Sequence, residues 1–374
     1  MRALLLDAEC RRASLADPAK MPASAVWANP VLRECDVAEP AISTPHDVII
    51  RVACCGVCGS DLHCSEAGPD GHVAFGGPAR LPVILGHEFA GTIVEVGGAV
   101  TRVSVGEVVT AESIWACWTC EECRAGHLNE CVDGNLLGLT VNGALAPLVR
   151  VDSRHCYSIA PLVERHGAEK AWELGALLEP LGVAERGLNR AGAHADDRLV
   201  VVGAGPIGLA AIMLAKARGV TSIVAFDRLA SRVALAEAAG ARAFLARDGA
   251  IDDAAGGLFG GQRATLAVEA GGTTEAFDLA FASLGNRGRL LVLGRLPTRV
   301  AFDTNTLLSK SLTVIGSRGH AGADIFRTLI DRLTTGRLDP SAMITARFGF
   351  SQLLEAFAYA RQGTGGKTLV RIDG

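Results

Sequence analysis

The sequence has no excess of charge of either sign. Its 36 lysines and arginines nearly balance 40 aspartates and glutamates, for a formal net charge of −4. That leaves no electrostatic footprint for nucleic acid or an anionic membrane. Long apolar runs are also missing, none approaching the roughly 18 to 20 residues that span a bilayer. The amino terminus shows no secretory pattern, because Met1–Leu6 runs straight into Asp7, Glu9, Arg11 and Arg12. Internal repeats and low-complexity segments are absent as well. A cytoplasmic protein with no nucleic-acid and no membrane partner is expected.

What is present argues for a well-packed chain. Hydrophobic residues make up 49% and charged ones 20% of 374 residues, enough for extensive burial and more than one ordinary core, so two domains are expected. Glycine is plentiful at 44 residues, roughly 12% against a usual ~7%. That excess fits the tight turns and close backbone approaches of an α/β nucleotide-binding protein. The eleven cysteines are grouped in a way that favours metal over disulfides in a reducing compartment. Six of them (Cys10, Cys35, Cys54, Cys55, Cys64 and Cys156) are left over, most as buried small hydrophobes.

The texture changes along the chain. Residues 1–25 carry a short apolar start and then a polar stretch with no assignable structure. From Val26 short β-type runs recur without helices between them, at 48–53, 90–96 and 107–110, and suggest a compact β-barrel-like unit reaching about Ala160. Residues 168–190 read as helical with Pro180 interrupting. After Arg198, strands at 199–202, 222–226, 265–268, 289–293 and 311–315 alternate with helices at 206–218 and 229–239. That alternation implies a parallel sheet covered on both faces. Helices at 325–335 and 353–361 and a strand at 367–372 close the chain.

Three constellations carry chemistry. Cys117, Cys120, Cys123 and Cys131 stand as C-x2-C-x2-C-x7-C. Four thiolates at such spacing wrap one Zn²⁺ tetrahedrally with no open position, a structural site. A zinc finger is the alternative, but no basic helix accompanies it. Gly203, Gly205 and Gly208 follow the strand LVVV and open a helix, so G-x-G-x-x-G stands in its required strand-turn-helix context for a dinucleotide. The helix N-terminus offers free N–H groups to phosphates. Asp227, 24 residues beyond Gly203, is placed to accept from ribose hydroxyls and favours NAD over NADP, whereas the adjacent Arg228 tolerates a 2′-phosphate. Pro206, Ile207 and Arg232 complete the expected cofactor-binding set.

The third constellation is Cys54–His63, CCGVCGSDLH, with GHE at 86–88 and a later LLEP. Cys58 supplies a thiolate and His87 an imidazole, while Glu88 and Glu179 are the available carboxylates. That mixture suits a catalytic zinc with an open position. Ser60 is expected to hydrogen-bond a substrate oxygen, Asp61 to orient a ligand, and His63 to pass a proton to solvent.

With these segments in order, the sequence resembles the zinc-containing medium-chain dehydrogenase/reductase superfamily, which includes alcohol, sorbitol and threonine dehydrogenases. The resemblance covers nearly the whole chain from Val26. It rests on CGVCGSDLH at 55–63, LGHEFAGTIVEVG at 85–97, the cysteine lobe, EPLGVA at 179–184 and VVGAGPIGLAAI at 201–212. It implies an α/β architecture: a GroES-like β-barrel catalytic domain over 1–180 with a zinc lobe at about 112–134, a Rossmann doubly wound parallel sheet over 181–318, and a return to the catalytic domain over 319–374. It implies two zinc ions per chain, one catalytic and one structural, hydride transfer between a nicotinamide and a secondary alcohol or ketone, and a homotetramer or dimer. Cys58, His87 and a carboxylate would hold the catalytic zinc; Glu179 stands where alcohol dehydrogenases use a second cysteine, as in polyol-type members. VWANPVLRECDVAEP, the insertion at 64–88 and the late GSRGHAG look similar to inosose dehydrogenases, so a polyol or cyclitol is the expected substrate. The alternatives are a simple-alcohol or threonine-type dehydrogenase and a non-catalytic NAD-binding regulator. One departure is GALAPL at 143–148, where the common pattern is aromatic.

Overall fold

The computed structural model describes residues 1–11, 20–247, 249–250, 257–296, 299–320, 322 and 324–372. Two sheet systems divide the work. The first is a seven-stranded sheet in the order Cys156–Ser158, Val108–Ala111, Glu88–Val96, Asp47–Val57, Lys367–Arg371, Ile344–Gly349, with Leu148–Asp152 also pairing with Asp47–Val57. Most pairs are antiparallel, and the chain's last strand lies against Asp47–Val57, with Thr368 opposite Val57. The sequence therefore returns to its own amino-terminal half to complete this sheet.

The second system is a six-stranded sheet in the order Arg242–Leu245, Ser222–Asp227, Arg198–Val202, Ala264–Glu269, Leu284–Val292, Thr313–Gly316. Every pair in it is parallel. Numbered in sequence the order is 3-2-1-4-5-6, the Rossmann arrangement, and its ligand crevice lies outside the carboxyl ends of the strands. Continuous apolar strands such as LVVV serve a sheet covered on both faces.

The helix Ala168–Arg190 packs against both systems. Its face of Leu174, Leu177, Leu178, Leu181, Ala184 and Leu188 is buried in one core with Leu209, Ile212 and Leu214 of the coenzyme side and with Ala90 and Leu369 of the barrel side. Pro180 does not interrupt it. A mid-helix proline costs about 3 kcal/mol, and burial of these leucines, each contributing about 1.5–3 kcal/mol, outweighs that. The expected limit between residues 180 and 181 thus falls inside one continuous helix.

Residues 1–25, unassigned from sequence, contribute a strand at Arg2–Cys10. It pairs antiparallel with Trp27–Asp36 and with Val83–Ile84 in a separate three-stranded sheet. Of the six leftover cysteines, Cys54, Cys55, Cys64 and Cys156 are buried, but Cys10 is exposed and Cys35 half-buried because their strands lie at the surface. No helix among the described residues is long and apolar enough to cross a membrane.

Candidate active site

Antiparallel pairing brings the first ligands together. Gly56 stands opposite Glu88 and Cys55 opposite Phe89, so Cys58, just past one strand, meets His87, just before the other. Cys58 then caps the short helix Gly59–Cys64, where the Asp61 carboxylate accepts the Cys58 N–H at 2.9 Å. The other Asp61 oxygen accepts the Gly86 N–H at 3.3 Å and faces His87 Nδ1 at 3.5 Å. Asp61 is fully buried, and its one carboxylate ties both ligand-bearing segments in place. The Cys58 sulfur, a His87 ring nitrogen and a Glu88 oxygen lie within 4.8 Å of one another.

The electrostatics of this group fit a cation. Burial works against a charged His87, but the Asp61 carboxylate and the Cys58 thiolate raise its pKa well above the usual imidazole value. Anions that stabilise positive charge on an imidazole stabilise a divalent metal in the same place. A thiolate, an imidazole and a carboxylate are the donor types of a catalytic zinc.

Two buried carboxylates sit near the group, and each has its own nitrogen partner. Lys367 Nζ donates to both Glu88 oxygens at 2.6 Å and to the Val57 carbonyl at 3.2 Å. Glu88 is 1% and Lys367 2% exposed. Burial and repulsion from Glu179 push the Glu88 carboxyl up, against the pull of Lys367. Burial works to deprotonate Lys367, yet Glu88 holds its ammonium above the ordinary lysine value. Glu179 lies outside the compact group. Its Oε1 accepts from Ser113 Oγ at 3.0 Å and lies 3.2 Å from His320 Nε2. Burial alone would raise Glu179; the hydrogen bond from His320, with the fields of His320, His87 and Lys367, lowers it to about 2. Sequence reasoning gave Lys367, His320 and Ser113 no role at this site. Their only local signals are a lysine inside a strand and a histidine after glycine in GSRGHAG, of which Ala321 lies outside the described residues.

The proton-handling residues are placed unevenly. Ser60 Oγ lies 3.2 Å from His87 Nε2, at the ligand group. His63, three residues further along the same short helix, is 58% exposed at its side chain, with Glu66 3.9 Å away. No hydrogen bond joins His63 to Ser60 among the described residues.

The cofactor turn follows the strand Arg198–Val202. Gly203 has φ +97°, and a Cβ there would lie 2.5 Å from the Gly271 nitrogen. A Cβ on Gly208 would collide with the Gly203 carbonyl, so the helix Pro206–Ala217 can pack this close only with glycine at 208. Gly205 differs: the nearest atoms to a Cβ there belong to the Arg232 guanidinium, no closer than 3.6 Å. The backbone is thus bare where a pyrophosphate needs to approach, with a cation beside it and Ile207 and Gly208 in the helix's first turn. Asp227 is buried at the end of its strand; one oxygen accepts the Ala204 N–H at 2.7 Å and the other the Leu229 N–H at 3.0 Å. Arg232 stands 3.8 Å from it, and Arg228 is exposed. Asp227 therefore braces the glycine turn, a role its sequence position did not reveal.

In the lobe, the four sulfurs of Cys117, Cys120, Cys123 and Cys131 lie within 4.8 Å of one another. Backbone N–H groups converge on them: Cys120 and Thr119 donate to Cys117 at 3.3 and 3.5 Å, and Cys117 donates to Cys131 at 3.2 Å. The Thr119 hydroxyl and these amides lower the Cys117 thiol to about 6. Cys120 is lowered as well, whereas burial pushes the Cys123 and Cys131 thiols up; four sulfurs converging at this distance fit a tetrahedral zinc.

Family models match this architecture in both halves: the alcohol dehydrogenase GroES-like domain over residues 44–161 and the zinc-binding dehydrogenase domain over 206–335. The chain belongs to the zinc-binding medium-chain dehydrogenases. This dehydrogenase is 29% identical to scyllo-inosose 3-dehydrogenase of Thermotoga maritima, over 93% of this chain and 91% of that protein. It is 32% identical to L-threonine 3-dehydrogenase of Saccharopolyspora erythraea, over 87% and 91%. A solved Thermotoga maritima structure of the alcohol dehydrogenase type superposes with a TM-score of 0.89 at 28% identity, covering 99% of this chain and 100% of that one. The dehydrogenase is an oxidoreductase acting on CH–OH groups of a small molecule, with zinc and a nicotinamide cofactor.

Proposed function

We propose that this dehydrogenase interconverts a secondary alcohol of a polyol or cyclitol with its ketone, using NAD. The observation that carries the reading is the convergence of Cys58, His87 and Glu88, with Ser60 Oγ hydrogen-bonded at the same point and the buried Glu179 close enough to act on Glu88 and His87 through its charge. Cys58, His87 and one of the glutamates would hold a catalytic zinc. Glu88 has both oxygens engaged by Lys367, whereas Glu179 Oε2 accepts no hydrogen bond from a described residue, which favours Glu179 as the carboxylate donor. A bound zinc supplies Lewis acidity toward the substrate oxygen, and a bound nicotinamide supplies the hydride acceptor.

The chain's own residues do the rest. Ser60 Oγ, fixed beside His87, is placed to take the proton from a substrate hydroxyl. His63, exposed on the same helix, is the group from which a proton reaches solvent. Asp61 keeps His87 in one orientation. Asp227 puts negative charge beside the glycine turn and disfavours a 2′-phosphate, which supports NAD over NADP. The cysteine lobe would hold a second, structural zinc. In the edge strand of the coenzyme sheet, Thr313–Gly316, Val314 is 40% exposed, and Leu308 of the preceding helix Thr304–Ser309 is 81% exposed, which supports a homo-oligomer through that edge.

The inosose and threonine dehydrogenases name two substrate classes, a cyclitol and an amino alcohol, and the match across 93% of the chain favours the first. A panel of inositols, hexitols, threonine and simple secondary alcohols, each with NAD and NADP, tests this. The highest kcat/KM is expected for a polyol or cyclitol with NAD. A clear preference for threonine would establish the amino-alcohol reading instead, and no nicotinamide reduction with any of them would reject both.

A further inference from the structure

One buried histidine has no place in the chemistry above. His320 is 0% exposed and comes from the segment just beyond the last strand of the coenzyme sheet, far in sequence from every candidate ligand. Its Nε2 lies 2.9 Å from Ser113 Oγ and 3.2 Å from Glu179 Oε1, and Ser113 Oγ itself donates to Glu179 Oε1 at 3.0 Å. Three chain segments thus close a buried triangle on a single carboxylate oxygen. We propose that His320, together with Ser113, is a positioning residue that anchors Glu179 through Oε1 and presents Oε2 to the catalytic metal.

His320 Nδ1 is buried without a partner, so the ring makes its polar contacts through Nε2. That nitrogen faces Glu179 Oε1 and the Ser113 hydroxyl, and it also accepts the Ser113 N–H at 3.4 Å. This is the arrangement by which ligating carboxylates are oriented: one oxygen bonded to the protein, the other left for the metal.

Described residues on either side of His320 are tied to neighbouring segments. The Gly322 N–H donates to Glu112 Oε1 at 3.1 Å, and Asn129 Nδ2 donates to the Arg318 carbonyl at 2.8 Å. The His320 ring lies 5.1 Å from that of Phe326 at an interplanar angle of 26°. A Cβ on Gly182, one turn beyond Glu179, would lie 2.8 Å from the His320 Cβ, so the helix must carry glycine there to admit the imidazole. Glu88 provides the contrast: its anchor, Lys367, engages both oxygens and leaves neither free.

The inference rests on the dehydrogenase reading of the site, and cobalt(II) binding separates the two. The protein is stripped of metal and titrated with cobalt, and the absorption that disappears in Cys58→Ala is taken as the catalytic-site signal, which leaves the cysteine lobe out. Chelator competition then gives the affinity. His320→Leu and Ser113→Ala should each weaken catalytic cobalt about 10–100-fold and shift its visible spectrum. His320→Gln, which keeps an amide donor near the same place, should recover affinity to within a few-fold. In a Glu179→Gln background, His320→Leu should change affinity less than about two-fold, because the carboxylate it positions is gone. Wild-type affinity and spectrum in His320→Leu would overturn the assignment, as would an equal loss with and without Glu179. A wild-type protein with no Cys58-dependent cobalt signal would overturn the metal site, and this role for His320 with it.

Discussion

Replacing Lys367 by methionine should destabilise this dehydrogenase by several kcal/mol at neutral pH, although the change removes one side chain of similar volume. Lys367 and Glu88 are both essentially inaccessible, and the ammonium touches both carboxylate oxygens at 2.6 Å. Breaking a buried pair by removing one partner costs about 3–5 kcal/mol, because the other charge is stranded. Glu88 can escape by taking up a proton. From its ordinary value of 4.5, staying neutral at pH 7 costs about 3.4 kcal/mol, at about 1.4 kcal/mol per pH unit. That sets the ceiling for the stranded charge, and loss of the bond to the Val57 carbonyl adds about 1 kcal/mol.

The sign of the pH dependence follows. In the variant the folded Glu88 pKa is raised further, because the pull of Lys367 is gone, so the lost stability is recovered as pH falls toward the unfolded value and lost again as pH rises. Urea unfolding of the zinc-replete protein, followed by tryptophan fluorescence at pH 7 and pH 5, should show a wild-type advantage of about 3–4 kcal/mol at pH 7 that narrows at pH 5. Glu88→Gln combined with Lys367→Met should regain most of the loss. A deficit below about 1 kcal/mol, or one that does not change with pH, would refute the stranded-charge reasoning.

Other sites give sharper but narrower tests. Asp61→Ala should lower catalytic-zinc affinity about 10–100-fold in chelator competition, since Asp61 orients both Cys58 and His87; unchanged affinity would remove it from that role. Gly208→Val should abolish NAD binding in fluorescence titration, because its side chain meets the Gly203 carbonyl, while the cysteine-lobe zinc stays bound. Asp47 accepts four bonds from Ser43 and Thr44, at 2.8–2.9 Å, and they hold its pKa below 3.8 against the effect of burial. Its stabilisation is present above the unfolded value and lost as pH falls through the lower folded one. Asp47→Asn should therefore cost about 1–3 kcal/mol at pH 7, and the difference from wild type should close in acid.

Much of the chemistry was legible because it needs particular residue types at short spacing. Four cysteines across fifteen positions, or glycines at a strand-helix turn, carry their geometry within one local segment, and five of the six described strands of the coenzyme sheet overlap their expected places, whereas the edge strand Arg242–Leu245 and the helix Thr274–Ser283 were not expected. The strand at Arg2–Cys10 was not legible, because what stabilises it is Trp27–Asp36, across a polar stretch with no periodicity of its own. Pro180 misled for the opposite reason: local propensity breaks the helix, and burial between two sheet systems overrides it. Lys367 and His320 are single residues whose partners lie 279 and 207 positions away. No pattern within a window of sequence could pair them. Asp227 was placed correctly at the end of its strand, but a sequence position does not show that its carboxylate is already occupied by two backbone amides.

The most direct measurement is nicotinamide reduction by a secondary alcohol in wild type and Cys58→Ala, with the zinc content of each determined. The wild type should transfer hydride and hold two zinc ions per chain. Cys58→Ala should lose one zinc, keep the other in the cysteine lobe, and lose turnover. Full turnover in Cys58→Ala would contradict a metal centre at Cys58 and His87.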